Sequence, residues 1–281
     1  MNIAYRFRIY PTEEQKILLG KTFGCCRFLY NQMLNDKIRE YEKTKKMLKN
    51  TPAMYKKEYS FLKEVDSLAL ANVQLHLEKA YKNFFRDPKI GFPRFKSKHH
   101  SRNSYTTNVV NGNILVESKR IRLPKLKWIA MKKHREPAED LRLKSVTIRM
   151  EPSGKYFASL LYEGYSCENQ AAEPDFSTAK ILGIDYAMQG MAVFSEKIET
   201  EESGFFRKNE KRLAMEQRKL SGCIRGSHNY ELQKKKVAKC HEKIRNQRRD
   251  YLHKLSRKIA DSFDAVAVED IDMKAMGQCL H

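Results

Sequence analysis

Two carboxylates stand at the ends of apolar segments and could do metal chemistry. Asp185 follows "KILGI" and Glu269 follows "DAVAV", and both runs have the apolar character of β-strands. If the two strands are neighbours, their acids could together hold Mg²⁺, which prefers oxygen ligands. Metal-assisted phosphodiester hydrolysis, as in nucleases of the ribonuclease-H type, is the chemistry that such a site supports. A single acid at a strand end has a simpler interpretation too, because it commonly forms a turn or caps a helix.

Other candidate ligands near these acids fit the pattern less well. Asp270 follows Glu269 directly, so on an ideal strand it faces the opposite side. Asp264 and Asp272 are interpreted as surface residues, and the eight histidines show no paired metal spacing. The cysteines include no C-x-x-C pair, which argues against a zinc ribbon or a disulfide framework in this chain; they are Cys25, Cys26, Cys167, Cys223, Cys240 and Cys279.

The charge of the chain points to a polyanionic partner. The 281 residues carry 55 Lys and Arg against 34 Asp and Glu, a formal net charge of +21. This excess repels itself in a folded protein, and nucleic acid would compensate it. With 41% hydrophobic residues the chain is globular, and neither a signal peptide nor an apolar run of roughly 18 residues is evident. We therefore expect a cytoplasmic, nucleoid-associated protein without a membrane partner.

Two basic segments are the candidate nucleic-acid-binding regions. The first, "RDPKIGFPRFKSKHHSRNSYTTN", mixes cations that could bind phosphate with aromatic rings that could stack on bases. The second is a helical region from about 206 to 259, which between Arg207 and Lys258 holds 18 Lys and Arg and five acids. A solvated connector and a solvated helix face are the alternatives. The predicted contact residues are Arg94, Lys96, Lys98, Arg102, Tyr105, Lys234, Lys235, Lys236, Arg245, Arg248, Arg249 and Lys254.

Local patterns place these residues on an α+β chain. A first strand ends at Pro11, and Thr12 with Gln15 has capping-box spacing before a helix that reaches about Lys46. A second helix, with Ser67 as its predicted cap, runs through "SLALANVQLHLEKAYKNFF". Strand-like segments follow, with a hairpin at "EPSGK", and then a polar linker. Two strands around Gly190 precede the basic helices, which Gly222 and Gly226 are expected to interrupt.

Many segments together resemble the TnpB family, the OrfB-type proteins of bacterial insertion sequences, which are related to type V CRISPR effectors. Among them are "YRFRIYPTEEQ", "KTFGCCRFLYNQ", "IGFPRFKSKHHSRNSYTTN", "LKSVTIRMEPSGKYFASLLYE", "GID", "NQRRDYLHKLSRKIA" and "VEDIDMKAM". Their order and spacing, rather than any one of them, make the resemblance specific. It extends along nearly the whole chain.

The resemblance implies a transposon-encoded, RNA-guided DNA endonuclease, also named a transposase, with guide RNA and target DNA as partners. In the family the acids of "GID" and "VED" are catalytic and bind Mg²⁺, which assigns these roles to Asp185 and Glu269. The implied domains are a wedge-like β-barrel formed by residues 1–11 and 91–170, a helical REC-like insertion at 12–90 and a linker at 171–179. Residues 180–281 would be a partial RuvC-like domain of ribonuclease-H fold with a basic helical insertion at about 206–259.

The sequence departs from the family after "VEDIDMKAMGQCLH". The family normally adds another helix and strand, a four-cysteine zinc ribbon and a third catalytic Asp, none of which is in these 281 residues. We therefore expect a catalytically incomplete site with two of three acids, and sheet strands that are partly uncovered. Three functions remain open at this point: an RNA-guided nuclease, a non-cleaving RNA-guided DNA-binding protein, and a decayed remnant. The oligomeric state is not predicted.

Overall fold

The structure, a computed structural model, describes residues 2–98, 102–138, 140–164, 178–186, 192–198 and 204–270. These residues form an α+β protein, as predicted, and the chain divides into two compact units, Met1–Cys167 and Glu168–His281. The first unit holds β1 (Asn2–Tyr10), α1 (Glu13–Thr44), α2 (Pro52–Glu58), α3 (Ser67–Arg86), β2 (Asn103–Asn108), β3 (Leu115–Val116), β4 (Arg120–Leu123), β5 (Lys127–Lys132), β6 (Arg142–Met150) and β7 (Tyr156–Glu163). The second holds β8 (Ile181–Tyr186), β9 (Ala192–Phe194), α4 (Phe205–Ser221), α5 (His228–Ser262) and β10 (Ala265–Val268).

An antiparallel sheet of seven strands is the frame of the first unit. Its order is β2-β6-β7-β1-β5-β4-β3, so the first strand of the chain lies at its centre, between β7 and β5. The predicted hairpin at "EPSGK" is confirmed: β6 and β7 pair across it, and Gly154 takes a positive φ of 83° in the turn. Among the described pairings β2 and β3 are the sheet edges, and closure into a barrel stays a prediction.

Helix α1 begins where the sequence predicts, and one of its faces packs into the core that it shares with the sheet. Both halves of the capping box form, since the Thr12 side chain accepts from the Gln15 N–H and the Gln15 side chain accepts from the Thr12 N–H. The helix buries one face of apolar residues, including Leu19, Leu29 and Met33, none of which is exposed. These side chains join the core residues of α3 and of the sheet in one cluster.

Helix α3 begins one residue earlier than expected, and the predicted cap is wrong. Asp66, rather than Ser67, is the N-cap, and its carboxylate accepts from the Leu68 N–H at 3.0 Å. The second carboxylate oxygen accepts from the hydroxyl of Thr107 on β2 at 2.5 Å. This double use explains why an aspartate occupies the cap: it joins the helix start to the sheet edge, which a serine hydroxyl could not do as well.

The second unit combines a three-stranded sheet with a helical hairpin. The sheet order is β10-β8-β9, with β10 parallel and β9 antiparallel to the central strand β8. Helices α4 and α5 are separated at "GCIRGS", so the predicted interruption at Gly222 and Gly226 is confirmed. The predicted connection around Gly190 lies outside the described residues. No helix in the described part of the chain is long and apolar enough to cross a membrane.

Candidate functional site

Asp185 and Glu269 are brought together by parallel pairing of β8 and β10. The register pairs Val266 with Leu182 and Val268 with Ile184, and Glu269 and Asp185 directly follow this last pair in their chains. Paired residues of parallel strands share a face, and neighbouring strands lie about 4.8 Å apart. Both acids are exposed. The two carboxylates therefore lie at the same end of two neighbouring parallel strands.

Contacts at the opposite ends of these strands fix the register. The Lys180 N–H donates to the carboxylate of Asp264 at 2.9 Å, and the Asp264 N–H donates back to the Lys180 carbonyl at 3.0 Å. Asp264 is therefore not a free surface acid. Its short side chain, just before the "AVAV" strand, aligns β10 with β8, and this alignment sets where Glu269 emerges.

Gly183 of β8 allows the third strand, β9, to lie close to β8. The Gly183 N–H donates to the Ser195 hydroxyl at 2.8 Å, and the Ser195 N–H donates to the Gly183 carbonyl at 2.9 Å. A Cβ at Gly183 would lie 3.3 Å from the Cβ of Ser195, closer than most side chains tolerate. The absence of a side chain at Gly183 lets β9 approach the strand that carries Asp185.

Other carboxylates do not join this pair in the described residues. Asp270 follows Glu269 and is exposed, and Asp272 lies outside the described residues. Within the described ranges no cluster of three or more His, Cys, Asp or Glu side chains has the geometry to hold a metal ion. The described acidic site thus consists of two oxygen-ligand side chains on a strand edge.

The basic helices form an antiparallel hairpin with a polar seam. Gln233 of α5 donates to both the carbonyl and the carboxylate of Glu216 on α4, at 3.0 and 2.6 Å. Asn209 donates to the Gln247 side chain at 3.2 Å farther along the pair. The hydrogen bond from Gln233, followed by nearby cations, holds the pKa of Glu216 below its ordinary value. The hairpin is therefore held by specific polar contacts as well as by buried Leu213 and Cys240.

The predicted contact residues of α5 are all exposed cations. Four of them lie on one helix face, because Arg245 stands 11 residues after Lys234 and is followed by Arg248 and Arg249 three and four residues later. Lys236 instead lines a groove of about 510 Å³ between α4 and α5, together with Arg212, Lys239 and Lys243. Lys254 pairs with Asp250 at 2.8 Å, so its charge is partly balanced.

The other predicted contact residues divide into surface and interior positions. Arg94, Lys98 and Arg102 are exposed, as binding to phosphate requires. Tyr105 is a core residue with 5% of its surface exposed and its ring 5.8 Å from that of Phe23, so it cannot stack on a base from an open surface. The reason is its place on β2, where alternate side chains face α1 and α3.

Lys96 differs from its neighbours because it points inward. Its ammonium lies 3.8 Å from the ring centroid of Tyr30, and burial lowers its pKa. It lines a cavity between α1, α3 and β2, to which Arg27 and His76 also contribute. The sequence did not indicate Arg27 as a site residue, since Arg27, His76 and Lys96 come from three separate segments.

The described features define a basic α+β protein with two carboxylates on a parallel strand edge, the profile of a nucleic-acid-binding protein. A family model described as "Probable transposase" (OrfB of IS605 type) matches residues 164–279, and a "Helix-turn-helix domain" model of the same family matches residues 1–46. The "Putative RNA-guided DNA endonuclease InsQ" of Escherichia coli K12 is 30% identical over 98% of this chain and 67% of its own length. A "Putative RNA-guided DNA endonuclease" of Streptomyces pristinaespiralis is 31% identical over 96% of this chain and 67% of its own length.

The chain belongs to the TnpB (OrfB) family of insertion-sequence transposases. A solved structure, that of Cas12f1 in a complex with sgRNA and target DNA, aligns with 99% of this chain and 75% of its own at 13% identity. Its TM-score of 0.32 is too low to define a shared fold. The described part of residues 1–46 contains β1 and the single helix α1, so two helices joined by a turn are not what this segment forms here.

Proposed function

We propose that this chain binds a guide RNA and a DNA target, and that Asp185 and Glu269 are the metal-binding acids of its nuclease centre. The observation that carries the proposal is the parallel register of β8 and β10, which brings the ends of the two strands that precede these acids together. The net charge of +21 and the exposed cations of α5 support a nucleic-acid partner. The names of the two bacterial relatives support RNA guidance and DNA as the substrate.

The domain assignment is part of the same proposal. Residues 1–11 and 91–170 would form the wedge-like domain, with residues 12–90 as its helical insertion and 171–179 as a linker. Residues 180–281 would form the RuvC-like portion, in which the helices at about 206–259 contact the guide–target duplex. Such a duplex is recognised by its shape and backbone, while base pairing reads the sequence. The central position of β1 between β7 and β5 supports joining the first strand to the later ones.

The donor set fits Mg²⁺. Mg²⁺ prefers oxygen ligands and commonly keeps several waters beside one or two carboxylates, and the two exposed acids offer such a partly open site. When bound, the ion would supply Lewis-acid activation of water and of the leaving oxygen. The chain itself contributes the alignment: Asp264 fixes the strand register, and Gly183 allows the third strand to support β8.

Binding and cleavage can be tested separately. RNA from the end of the encoding element, a DNA target and Mg²⁺ would be added to the full chain, with RNA binding measured at several salt concentrations. Binding that weakens steeply with salt is expected, and absence of salt-dependent RNA binding would contradict the proposal. For the acids, Asp185→Asn and Glu269→Gln are compared with the matched control Asp270→Asn.

The metal-site test has two readouts. Titration with Mn²⁺ monitored by electron paramagnetic resonance should show roughly tenfold weaker binding in Asp185→Asn and Glu269→Gln, and little change in Asp270→Asn. If DNA is cleaved, only the first two variants should lose cleavage. If Mn²⁺ binds the three variants equally, the assignment of Asp185 and Glu269 is wrong. Binding of RNA and metal without cleavage would identify a non-cleaving RNA-guided DNA-binding protein.

A further inference from the structure

A cavity in the first unit has a wall of basic side chains that the metal site and the basic hairpin do not use. It lies between α1, α3 and β2 and has a volume of about 330 Å³. Phe23, Val73 and Tyr105 supply an apolar wall. Four basic residues complete the lining: Arg27, His76, Lys96 and Arg102. The volume is at the lower end of the roughly 300–1,000 Å³ of small-molecule sites.

None of these four basic side chains forms an ion pair within the described part of the chain. Lys96 and Arg27 are partly buried, and the Lys96 ammonium lies 3.8 Å from the ring centroid of Tyr30. Elsewhere the first unit satisfies its buried ionic groups. Glu151, 3% exposed, lies 2.7 Å from Arg6 and 3.5 Å from Arg149, and Lys37 donates to the Leu48 carbonyl.

A carboxylate close to the cavity wall, that of Asp66, is already engaged. Asp66 is buried. The pKa of Tyr105 on the cavity wall is raised first by the burial of Tyr105 and second by the negative charge of Asp66. Its two oxygens accept from the Leu68 N–H and the Thr107 hydroxyl, so they are committed to the start of α3 and to β2. Because a partly buried cation without an anion is costly, Lys96 is a position where a bound anion would stabilise the fold.

The position of Lys96 is fixed before any ligand arrives. The Asn31 amide donates to the Lys96 carbonyl at 2.9 Å, and the Lys96 N–H donates to the Asn31 side-chain oxygen at 2.8 Å. This pair of bonds anchors the segment to α1. Burial, followed by the charges of Lys96 and Lys79, lowers the pKa of His76, and an imidazole N–H at this position can donate a hydrogen bond to a ligand.

We propose that this cavity binds one phosphate group of a nucleotide, with Lys96 as its central cation and Arg27, Arg102 and His76 around it. Guanidinium and ammonium groups are good donors to a phosphate. Three cations also fit the double negative charge of a phosphate better than they fit the single charge of a carboxylate. This inference extends the proposed function. It rests on that function only in taking nucleic acid as the source of the phosphate.

The test uses the full chain and four probes: inorganic phosphate, uridine 5′-monophosphate, uridine and acetate. Calorimetric titration and thermal melting are followed in wild type and in Lys96→Met, which keeps the stem against Tyr30 but removes the charge. Lys98→Met is the matched control, because Lys98 is exposed and does not line the cavity. A short RNA carrying or lacking a 5′-phosphate shows whether the site takes the end of a strand or a free nucleotide.

Binding of the monophosphate, with uridine and acetate inactive, is expected. Lys96→Met should weaken it at least roughly tenfold, the loss of one charge-assisted contact, while Lys98→Met leaves it unchanged. Without ligand, Lys96→Met should melt no lower than wild type, which a purely structural lysine would not do. If Lys96→Met does not fold, Arg27→Gln and Arg102→Gln provide the same comparison.

Two results would overturn the inference: equal monophosphate affinity in wild type and Lys96→Met, or equal binding of uridine and its monophosphate. Long RNA is measured in parallel. If phosphate binds the cavity but long RNA does not bind the chain, the proposed function fails and the cavity assignment stands. If long RNA binds the chain and Lys96→Met does not change monophosphate binding, the proposed function stands and the cavity assignment fails.

Discussion

Cys26 and Lys96 lie on the same cavity wall, and burial shifts their pKa values in opposite directions. It raises the pKa of the Cys26 thiol to about 12 and lowers the pKa of the Lys96 ammonium. Both shifts favour the uncharged form, as removal from water requires. For Cys26 the consequence is chemical inertness in the folded chain, since the thiolate is the reactive species.

Native alkylation should separate the cysteines accordingly. With iodoacetamide near pH 8, Cys223, which is partly exposed, should react at least roughly tenfold faster than buried Cys25 and Cys26. Peptide mass spectrometry measures the rates, and urea-unfolded protein is the control in which these thiols should react alike. Modification of Cys26 in the folded chain at the rate of Cys223 would contradict its burial.

The raised pKa of Cys26 predicts that the folded chain loses stability at alkaline pH. Its folded pKa of about 12 lies above the ordinary value of 9.0, so its stabilising contribution is complete below about pH 9 and is lost as the pH rises toward 12. The difference in unfolding free energy between wild type and Cys26→Ala should therefore shrink between about pH 8 and pH 10.5. Urea unfolding at the two pH values measures it, and a constant difference would disprove the linkage.

At the scale of elements, Gln15 connects helix α1 to a hairpin as well as capping it. Its amide donates to the carbonyls of Leu126 and Trp128, both at 2.9 Å, while its oxygen accepts from the Thr12 N–H. The capping box therefore does more than begin a helix: it sets where α1 leaves the sheet, and so where its core face lies.

Loss of Gln15 should cost more stability than loss of Thr12. Gln15→Ala removes three hydrogen bonds and leaves two carbonyls without this partner, for an expected cost of about 2–3 kcal/mol, whereas Thr12→Ala should cost about 1 kcal/mol. Urea unfolding measures both. Gln74→Ala, whose amide contacts only the exposed Glu78 four residues on, is the control and should change stability by less than about 0.5 kcal/mol. Equal costs for Gln15→Ala and Gln74→Ala would refute the link.

At the scale of the whole molecule, charge placement matters more than charge count. One face of α5 groups Lys234, Arg245, Arg248 and Arg249 in exposed positions. Several exposed cations of the first unit lie in ion pairs with acids. A face of this kind can displace several counterions from a nucleic-acid strand at once, which is the main source of affinity for such partners.

Neutralising that face should flatten the salt dependence of RNA binding. Changing all four cations to Gln should reduce the slope of log affinity against log salt by up to about 3 and weaken binding roughly tenfold or more. The matched control changes four cations that already pair with acids, Lys16, Lys21, Arg120 and Lys144, for the same loss of charge. Equal effects of the two sets would mean that net charge, rather than the α5 face, governs binding.

The sequence by itself determined the features that depend on neighbouring residues. The Thr12–Gln15 capping box, the turn at "EPSGK" and the interruption at Gly222 and Gly226 all form as predicted. Each is specified by hydrogen bonds or backbone freedom within a few residues, so its signal is local. The apolar runs before Asp185 and Glu269 likewise predict strands, and the strands are present.

Only the tertiary structure decided which segments meet. Pairing of β8 with β10 joins residues more than 80 positions apart, and this pairing brings the strand ends before Asp185 and Glu269 together. The burial of Tyr105 and the convergence of Arg27 and Lys96 on one cavity depend in the same way on how α1, α3 and β2 pack. Local patterns tell which residues form an element, but the choice among partners rests on the packing of buried faces, which no short stretch of sequence contains.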